Sequence, residues 1–423
     1  MAKTLDGWLT RRGLAWAGYD VASSVYAGLA PVLLLPMYFR GLMPGSPTAT
    51  ATWGMIAAIA VLASSLASLA AAAAVRRVSR FTLLACLSAG LVLSLAALAW
   101  NPGSSFLHAA VAFIAAQSFY FAATTLYESF LPDLLPEAAR QKLSGFGWGL
   151  GYLGGIIAIL VLLAFAAGKQ QSVALLEDCF GLLAILSGIG FALVLDIMRR
   201  QGFASLREGT ENPALADGLP RLAQHWPAVR RVLALLGGTL LVQMATSVVM
   251  TFTAPLLAAH FGKNLQDLLW LLLIIHIISV PSTFAWSHAM SRGSRVAPMC
   301  LLLCAWALVL LLLAYGSGEW MPLITVCAIG GCLGATASAL RGFLAESVKQ
   351  GDSAVLFGLG TVAGRCAAAL GPALFSAVTL MAGERAALLV IVLVLGLGGA
   401  LVLFHLLREP TFRETIASPP AAA

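Results

Sequence analysis

An arginine lies deep inside an apolar run near the end of the chain. Arg365 follows about a dozen residues of the run 354–381, roughly 18 Å along a helix and so near the middle of a bilayer. A lipid-facing guanidinium at that depth costs at least about 2.5–3.5 kcal/mol on insertion scales. The side chain must therefore face a water-filled cavity or a partner. Two readings follow. As an anion grip, its planar fork matches a carboxylate or phosphate on a solute. As a structural element, it forms a permanent ion pair or binds backbone carbonyls and locks two helices.

Asp20 and Glu128 are the candidate proton or cation carriers. Asp20 stands about one turn inside the first apolar run and Glu128 closes the fourth, so both are expected near the cytoplasmic mouth, where a partly dry cleft permits reversible protonation. The alternative is a helix-end salt bridge, for instance with Arg341, that closes an inner gate. Gln117, Tyr120, Thr124 and Tyr127 recur at roughly helical spacing, and Gln243, Thr246, Ser247, Thr251 and Thr253 form a second neutral set. Either set could line a polar path or bond one helix to the next. His276 can titrate near neutrality or serve as a buried structural group. Asp196 and Glu346 fit solvated helix ends. Ser144, Gly147, Gly151 and Gly154 stand at i, i+3, i+7 and i+10, a small-residue stripe suited to close helix approach or sliding. A phosphate-binding loop needs a strand before it, and none is plausible here. No nucleotide motif, metal cluster or nucleophile triad is present, so neither a cofactor nor an enzymatic activity is expected.

The elements that must position these groups follow from composition. The chain has 423 residues, 60% hydrophobic and 10% charged, with a mean hydropathy of +0.92. A soluble domain is nearer half apolar and a quarter charged. Disorder, a disulfide scaffold and an ordinary cytosolic enzyme are poor fits. Hydropathy blocks cut at charges and turn residues predict twelve membrane helices, at 14–39, 52–75, 81–100, 105–127, 144–167, 173–196, 231–256, 265–289, 296–315, 321–341, 354–381 and 385–407. The expected organisation is an N-terminal six-helix bundle (1–198), a polar linker (199–230), a C-terminal six-helix bundle (231–408) and a tail (409–423). The first block, interrupted by Tyr19 and Asp20 and running to Phe39, reads as a retained span rather than a signal peptide. The seven cysteines fall mostly inside apolar runs and fit packing residues.

A net charge of +7 does not point to nucleic acid, because the basic residues sit between apolar blocks. With the N-terminus in the cytoplasm, nineteen of the 25 Lys and Arg residues fall in cytoplasmic segments. Both termini are therefore expected to be cytoplasmic. Ala, Gly and Leu richness suggests a bacterial inner membrane.

A repeat supports the six-plus-six division. A shift of 213 residues lays Arg341-Gly342-Phe343-Leu344 on Glu128-Ser129-Phe130-Leu131. The same shift lays Gly358, Gly360 and Gly364 on Gly145, Gly147 and Gly151, and Arg365 on Tyr152. Arg76, Arg77 and Arg80 are echoed by Arg292 and Arg295. Parallel duplication explains the shared spacing.

Two related six-helix halves resemble the major facilitator superfamily. Four motifs resemble its vacuole-effluxer-like branch, relatives of the autophagy-related vacuolar amino-acid effluxers. They are Trp16-Ala17-Gly18-Tyr19-Asp20-Val21-Ala22-Ser23-Ser24-Val25-Tyr26; Tyr127-Glu128-Ser129-Phe130-Leu131-Pro132; Ser144-Gly145-Phe146-Gly147-Trp148-Gly149-Leu150-Gly151-Tyr152-Leu153-Gly154-Gly155; and Ser338-Ala339-Leu340-Arg341 with Phe357-Gly358, Gly364-Arg365 and Gly371-Pro372. Ser23 stands where that branch usually has Asn, and Glu128 where Asn or Asp is common. The loop carrying Arg76, Arg77 and Arg80 lacks the superfamily's acidic residue, which leaves its usual charge relay between helix ends without a partner.

The resemblance implies an all-α polytopic protein that works as a monomer, with the first, fourth, seventh and tenth helices around a central path. It implies a secondary active transporter that moves a small polar solute, anionic or amino-acid-like, by alternating access. Arg365, Tyr152, Gln117, Tyr120 and Gln243 are the expected solute-binding residues. Asp20, Glu128 and Arg341 are the expected coupling and gating residues, with protons as the candidate coupling ion. The expected partners are the solute, protons and membrane lipids. A non-transporting scaffold or sensor, or a lipid-handling protein on the same fold, is the competing reading.

Overall fold

The structure is a computed structural model that describes residues 9–75, 77–135, 137–205, 226–291, 295–347 and 353–408, apart from some side chains within helices, those of Trp148 and Arg341 among them. Twelve long helices occur among the described residues: α1 (Arg11–Leu42), α2 (Ala49–Ala74), α3 (Arg80–Ala99), α4 (Phe106–Glu128), α5 (Glu137–Ala166), α6 (Val173–Arg200), α7 (Trp226–Phe261), α8 (Leu265–Ser291), α9 (Val296–Tyr315), α10 (Met321–Ser347), α11 (Ser353–Ala382) and α12 (Glu384–Arg408). No strand is present among them. Eleven of these helices are long and apolar enough to cross a membrane. The remaining one, α10, has 27 residues, with an apolar stretch over Met321–Thr336. Leu66, Leu93, Leu193, Phe284 and Leu393 lie on these helices with their side chains exposed, as expected where the solvent is lipid. The chain is an all-α integral membrane protein.

Local chemistry explains where helices begin and end. Thr10, Ser79, Ser105 and Ser172 are N-caps whose hydroxyls accept from the backbone N–H three residues on, satisfying donors that have no partner within the helix. After α5 and α11 the chain turns at Gly168 (φ 71°) and Gly383 (φ 86°), a conformation that a Cβ disfavours. Within α1 the backbone departs from the hydropathy pattern. The first block predicts one regular helix, whereas α1 widens into a π turn over Ala30–Leu34. Pro31 has no N–H to donate, and the wider turn re-pairs the backbone around it: Leu34 N–H reaches Leu29 O at 3.3 Å.

The chain divides into two compact units, one formed by Met1–Gly209 with Ala258–Leu273, the other by Thr210–Leu257 with Ile274–Ala423. In the first, Phe39, Trp53 and Phe113 stack in the core, with ring centroids 5.7 Å (Phe39–Trp53) and 5.3 Å (Trp53–Phe113) apart. A polar knot also lies there. Asn101 donates to Tyr38 Oη at 2.7 Å, and Tyr38 donates to Glu177 Oε1 at 2.8 Å. In the second unit, Trp306 Nε1–H donates to Thr336 Oγ1 at 2.7 Å, and Phe252 meets Phe375 with centroids 4.1 Å apart.

Close helix contacts place the functional side chains. In the first unit α5 lies along α1. A Cβ at Gly151 would come within 2.8 Å of Ser24 Oγ, and one at Gly154 would overlap the Val21 carbonyl. In the second unit α11 meets α7 in the same way. A Cβ at Gly364 would lie 2.8 Å from Gln243 Oε1, and one at Gly371 would overlap the Met244 carbonyl and Ser247 Oγ. The stripe Gly147–Gly151–Gly154 is thus a contact between α5 and α1 inside one unit. The shift of 213 residues pairs Gly151 with Gly364, each facing the opening helix of its own unit, whereas Gly360, aligned with Gly147, faces Leu344 of α10.

Gly154→Val and Gly371→Val should each lower stability by about 1–3 kcal/mol, because backbone cannot yield as a side chain does. Gly145→Ala, which meets nothing within 4 Å, should be neutral or slightly stabilising. Unfolding of each purified variant by titration with a denaturing detergent measures the difference.

Candidate functional site

Three of the sequence motifs meet around Asp20. The helix begins at Arg11, earlier than hydropathy indicates, so Asp20 lies about 14 Å along it rather than about one turn inside. Its Oδ2 accepts from the Tyr127 hydroxyl at 2.8 Å. Trp16 Nε1–H donates to the Tyr127 carbonyl at 2.9 Å, and the two rings stack 4.4 Å apart. Tyr19 stacks on the other side at 4.8 Å, its hydroxyl 2.9 Å from Ser88 Oγ. Tyr127 is thereby held at its ring, backbone and hydroxyl. A Cβ at Gly147 would sit 2.7 Å from Asp20 Oδ2, 3.2 Å from Trp16 and 3.4 Å from Tyr127 Oη. Glycine on α5 leaves the room in which this carboxylate and phenol meet.

The other expected residues of this unit take separate places. Gln117 is buried, and its Oε1 accepts from Tyr26 Oη at 2.6 Å. It joins α4 to α1. Tyr120 is half-buried and packs on the Tyr26 ring at 5.3 Å. Tyr152 is half-buried on α5. Glu128 closes α4 and is exposed, so the two candidate carboxylates sit in unlike surroundings.

A second polar group clasps the end of α4. The Arg80 side chain is 11% exposed and forms a salt bridge with Asp133 at 2.5 Å. Its Nη1 donates to the Ser129 carbonyl at 3.0 Å, and its guanidinium lies over the Phe130 ring at 4.8 Å. One cation thus fixes three residues of the turn that follows the Tyr127 motif.

In the second unit Arg365 is half-buried on α11, twelve residues after the helix start at Ser353. Gln243 of α7 touches the preceding residue, Gly364. Ser247 Oγ donates to the Met244 carbonyl at 2.8 Å and lies 3.3 Å from the Ala367 carbonyl. Two expected solute-binding residues, Arg365 and Gln243, therefore belong to one neighbourhood within this unit. The Arg341 side chain, and with it the expected gating bridge, lies outside the described residues.

Comparison with known proteins agrees with this architecture. Residues 235–422 match the family model of the Major Facilitator Superfamily. The uncharacterized MFS-type transporter YxiO of Bacillus subtilis (strain 168) is 20% identical over 430 residues, covering 95% of this chain and 96% of that protein. A mutant of the nucleoside transporter NupG superposes with a TM-score of 0.72 at 15% identity, over 93% of this chain and 98% of that one. A D-xylose-proton symporter superposes with a TM-score of 0.65 at 16% identity, over 96% and 97%. The chain has the major facilitator fold.

Within the major facilitator fold, two features of the site escape sequence reasoning. Arg80, whose own loop carries no acidic residue, finds its ion-pair partner in the turn after α4, as Asp133. Its only sequence signal is an acidic residue five positions after Glu128, which means nothing until the helix ends are adjacent. The role of Tyr127 was also hidden, since a polar stripe on α4 shows that it faces something, not that it faces Asp20.

Tyr127→Phe and Asp20→Asn should be coupled in a double-mutant cycle, with an interaction energy of about 0.5–3 kcal/mol in detergent unfolding. Additive effects would show that the hydrogen bond contributes no stability.

Arg80→Ala should destabilise by about 1–3 kcal/mol, as expected for charge-assisted bonds to a half-buried turn. The exposed Arg77→Ala should change stability by less than about 0.5 kcal/mol. The same unfolding measurement compares them.

Proposed function

We propose that the chain is a member of the major facilitator superfamily and a secondary active transporter, carrying a small polar solute with an anionic group by alternating access. The observation that carries this reading is Arg365, a half-buried guanidinium twelve residues into a 30-residue apolar helix, with the Gln243 amide at the neighbouring position. An ionisable group at such depth is expensive and marks a solute or ion pathway by default. Guanidinium and amide together offer forked donors plus an acceptor, a set that suits a carboxylate beside a neutral polar group.

The vacuole-effluxer-like motifs favour an amino-acid-like solute. Asp20 is the proposed proton carrier: its carboxylate already accepts a hydrogen bond from the Tyr127 hydroxyl. A D-xylose-proton symporter among the structural relatives fits proton coupling on this fold. Tyr152 and Tyr120 are proposed to shape the polar path, Gln117 to hold α4 against α1 through Tyr26, and Glu128 with Arg341 to act at the cytoplasmic gate. The distribution of basic residues favours cytoplasmic termini, and the Bacillus relative fits a bacterial cytoplasmic membrane.

Thermal-shift screening against amino acids, peptides and phosphorylated metabolites should find a solute that raises the melting temperature. In proteoliposomes, Arg365→Ala should weaken that solute's transport by roughly tenfold or more, with a smaller loss for Arg365→Lys. Asp20→Asn should retain solute exchange but lose accumulation driven by a proton gradient. Wild-type transport by Arg365→Ala would refute the anion grip.

A further inference from the structure

A basic cavity in the second unit has no place in the solute pathway proposed above. It measures about 550 Å³ and is lined by Trp226, Arg230 and Arg231 of α7 and Phe404, His405 and Arg408 of α12. Helical spacing explains the grouping. Trp226 and Arg230 stand one turn apart on one face of α7, as do Phe404 and Arg408 on α12. Deeper in the bundle the two helices touch closely: a Cβ at Gly238 would lie 2.7 Å from Val402 and 2.8 Å from the Gly398 carbonyl. The cavity opens beyond that contact, where the small residues give way to long ones.

Its chemistry is specific. The three arginines are exposed at the helix ends, and among the described residues the lining contains no carboxylate. The Arg408 guanidinium lies over the Phe404 ring at 4.2 Å, which orients its fork while leaving the in-plane donors available to a ligand. Arg408 also offsets the partial negative charge of the α12 C-terminus, and the N-terminus of α7 brings partial positive charge to the same cavity. His405 forms the back wall, buried, with Nε2 2.8 Å from Ser347 Oγ of α10. Trp226 and Phe404 are about half exposed and stand where aromatic side chains meet the membrane interface.

We infer that this cavity binds a phosphate group, carried by an anionic phospholipid headgroup or present as free phosphate. Forked donors from two helices match the oxygens of a tetrahedral phosphate, and basic pockets between membrane helices on the cytoplasmic side are suited to such headgroups. A phosphate held there would bridge the first turn of α7 to the last turn of α12. The site depends on neither the solute nor the transport reading.

The test uses the purified full-length protein in a neutral detergent. One arm titrates cardiolipin or phosphatidylglycerol in mixed micelles, with phosphatidylcholine as the uncharged control. A second arm titrates inorganic phosphate against chloride at equal ionic strength. Binding is read by native mass spectrometry and by the shift in melting temperature. Anionic lipid should raise the melting temperature, and Arg230→Gln with Arg408→Gln should weaken its binding by roughly tenfold or more. The double lysine variant at these positions should fall between, and Arg385→Gln, at the other end of α12, should match the wild type. A response to lipid alone assigns a headgroup site; a response to inorganic phosphate with the same dependence on Arg230 and Arg408 assigns a free-phosphate site. Should neither ligand bind, or should the double glutamine variant bind like the wild type, the proposal fails. Melting temperatures without ligand separate a binding defect from a folding defect.

Discussion

A carboxylate surrounded by apolar helices needs a donor supplied by the protein, and Asp20 has the hydroxyl of Tyr127. Much of the first unit follows from meeting that requirement. For the two side chains to meet, α1 and α4 must bring them together. Nothing on α5 can intrude, hence glycine at position 147. The phenol must also be aimed, which the Trp16 and Tyr19 rings and the Trp16 N–H accomplish. A hydrogen bond of modest net strength therefore constrains residues on three helices. Three separated motifs in the chain describe a single contact.

The second unit keeps the geometry and changes the chemistry. Glycines on α11 again admit α7 to close approach, but the polar residue of α7 at that contact is Gln243. The charge is on α11 instead, at Arg365. Close backbone packing is indifferent to what lies beside it, so a duplicated helix pair can preserve its glycines while its polar groups diverge. The result is one unit with a deep carboxylate and one with a deep guanidinium. An acceptor bonded to a phenol is suited to exchanging a proton. A guanidinium, protonated at any physiological pH, is suited to holding an anion. The same packing solution thus accommodates ionisable groups of opposite charge.

What could be read in advance divides along the range of the interactions. The extents of the long helices depend on local hydropathy, and the hydropathy blocks for α2, α6, α9 and α12 fall close to the observed helices Ala49–Ala74, Val173–Arg200, Val296–Tyr315 and Glu384–Arg408. The π turn at Ala30–Leu34 was missed because Pro31 lies in an otherwise apolar run, and its effect is on hydrogen-bond register rather than on hydropathy. The spacing of Gly147, Gly151 and Gly154 marks a close contact, but the periodicity of one helix does not name the helix it meets. Gln117 shows the same limit. A polar residue on α4 has the same sequence signature whether it lines a path or, as here, accepts from Tyr26 in the interior.

The basic residues make the point most sharply. Counted together they report orientation, and each contributes equally to that count. Their environments are not equal. Arg199 and Arg200 flank Asp196 at 3.1 and 2.7 Å on an exposed helix end, where ion pairs contribute little. Arg12 donates to the Gln201 carbonyl at 2.9 Å, tying the start of α1 to the end of α6. Arg80, nearly buried, pairs with Asp133 of the turn that follows α4. A cation needed for topology has no reason to be buried, since its electrostatic role is served equally well in water. Burial of Arg80 therefore requires a separate physical cause, and that cause lies in what the side chain holds: Asp133, the Ser129 carbonyl and the face of the Phe130 ring.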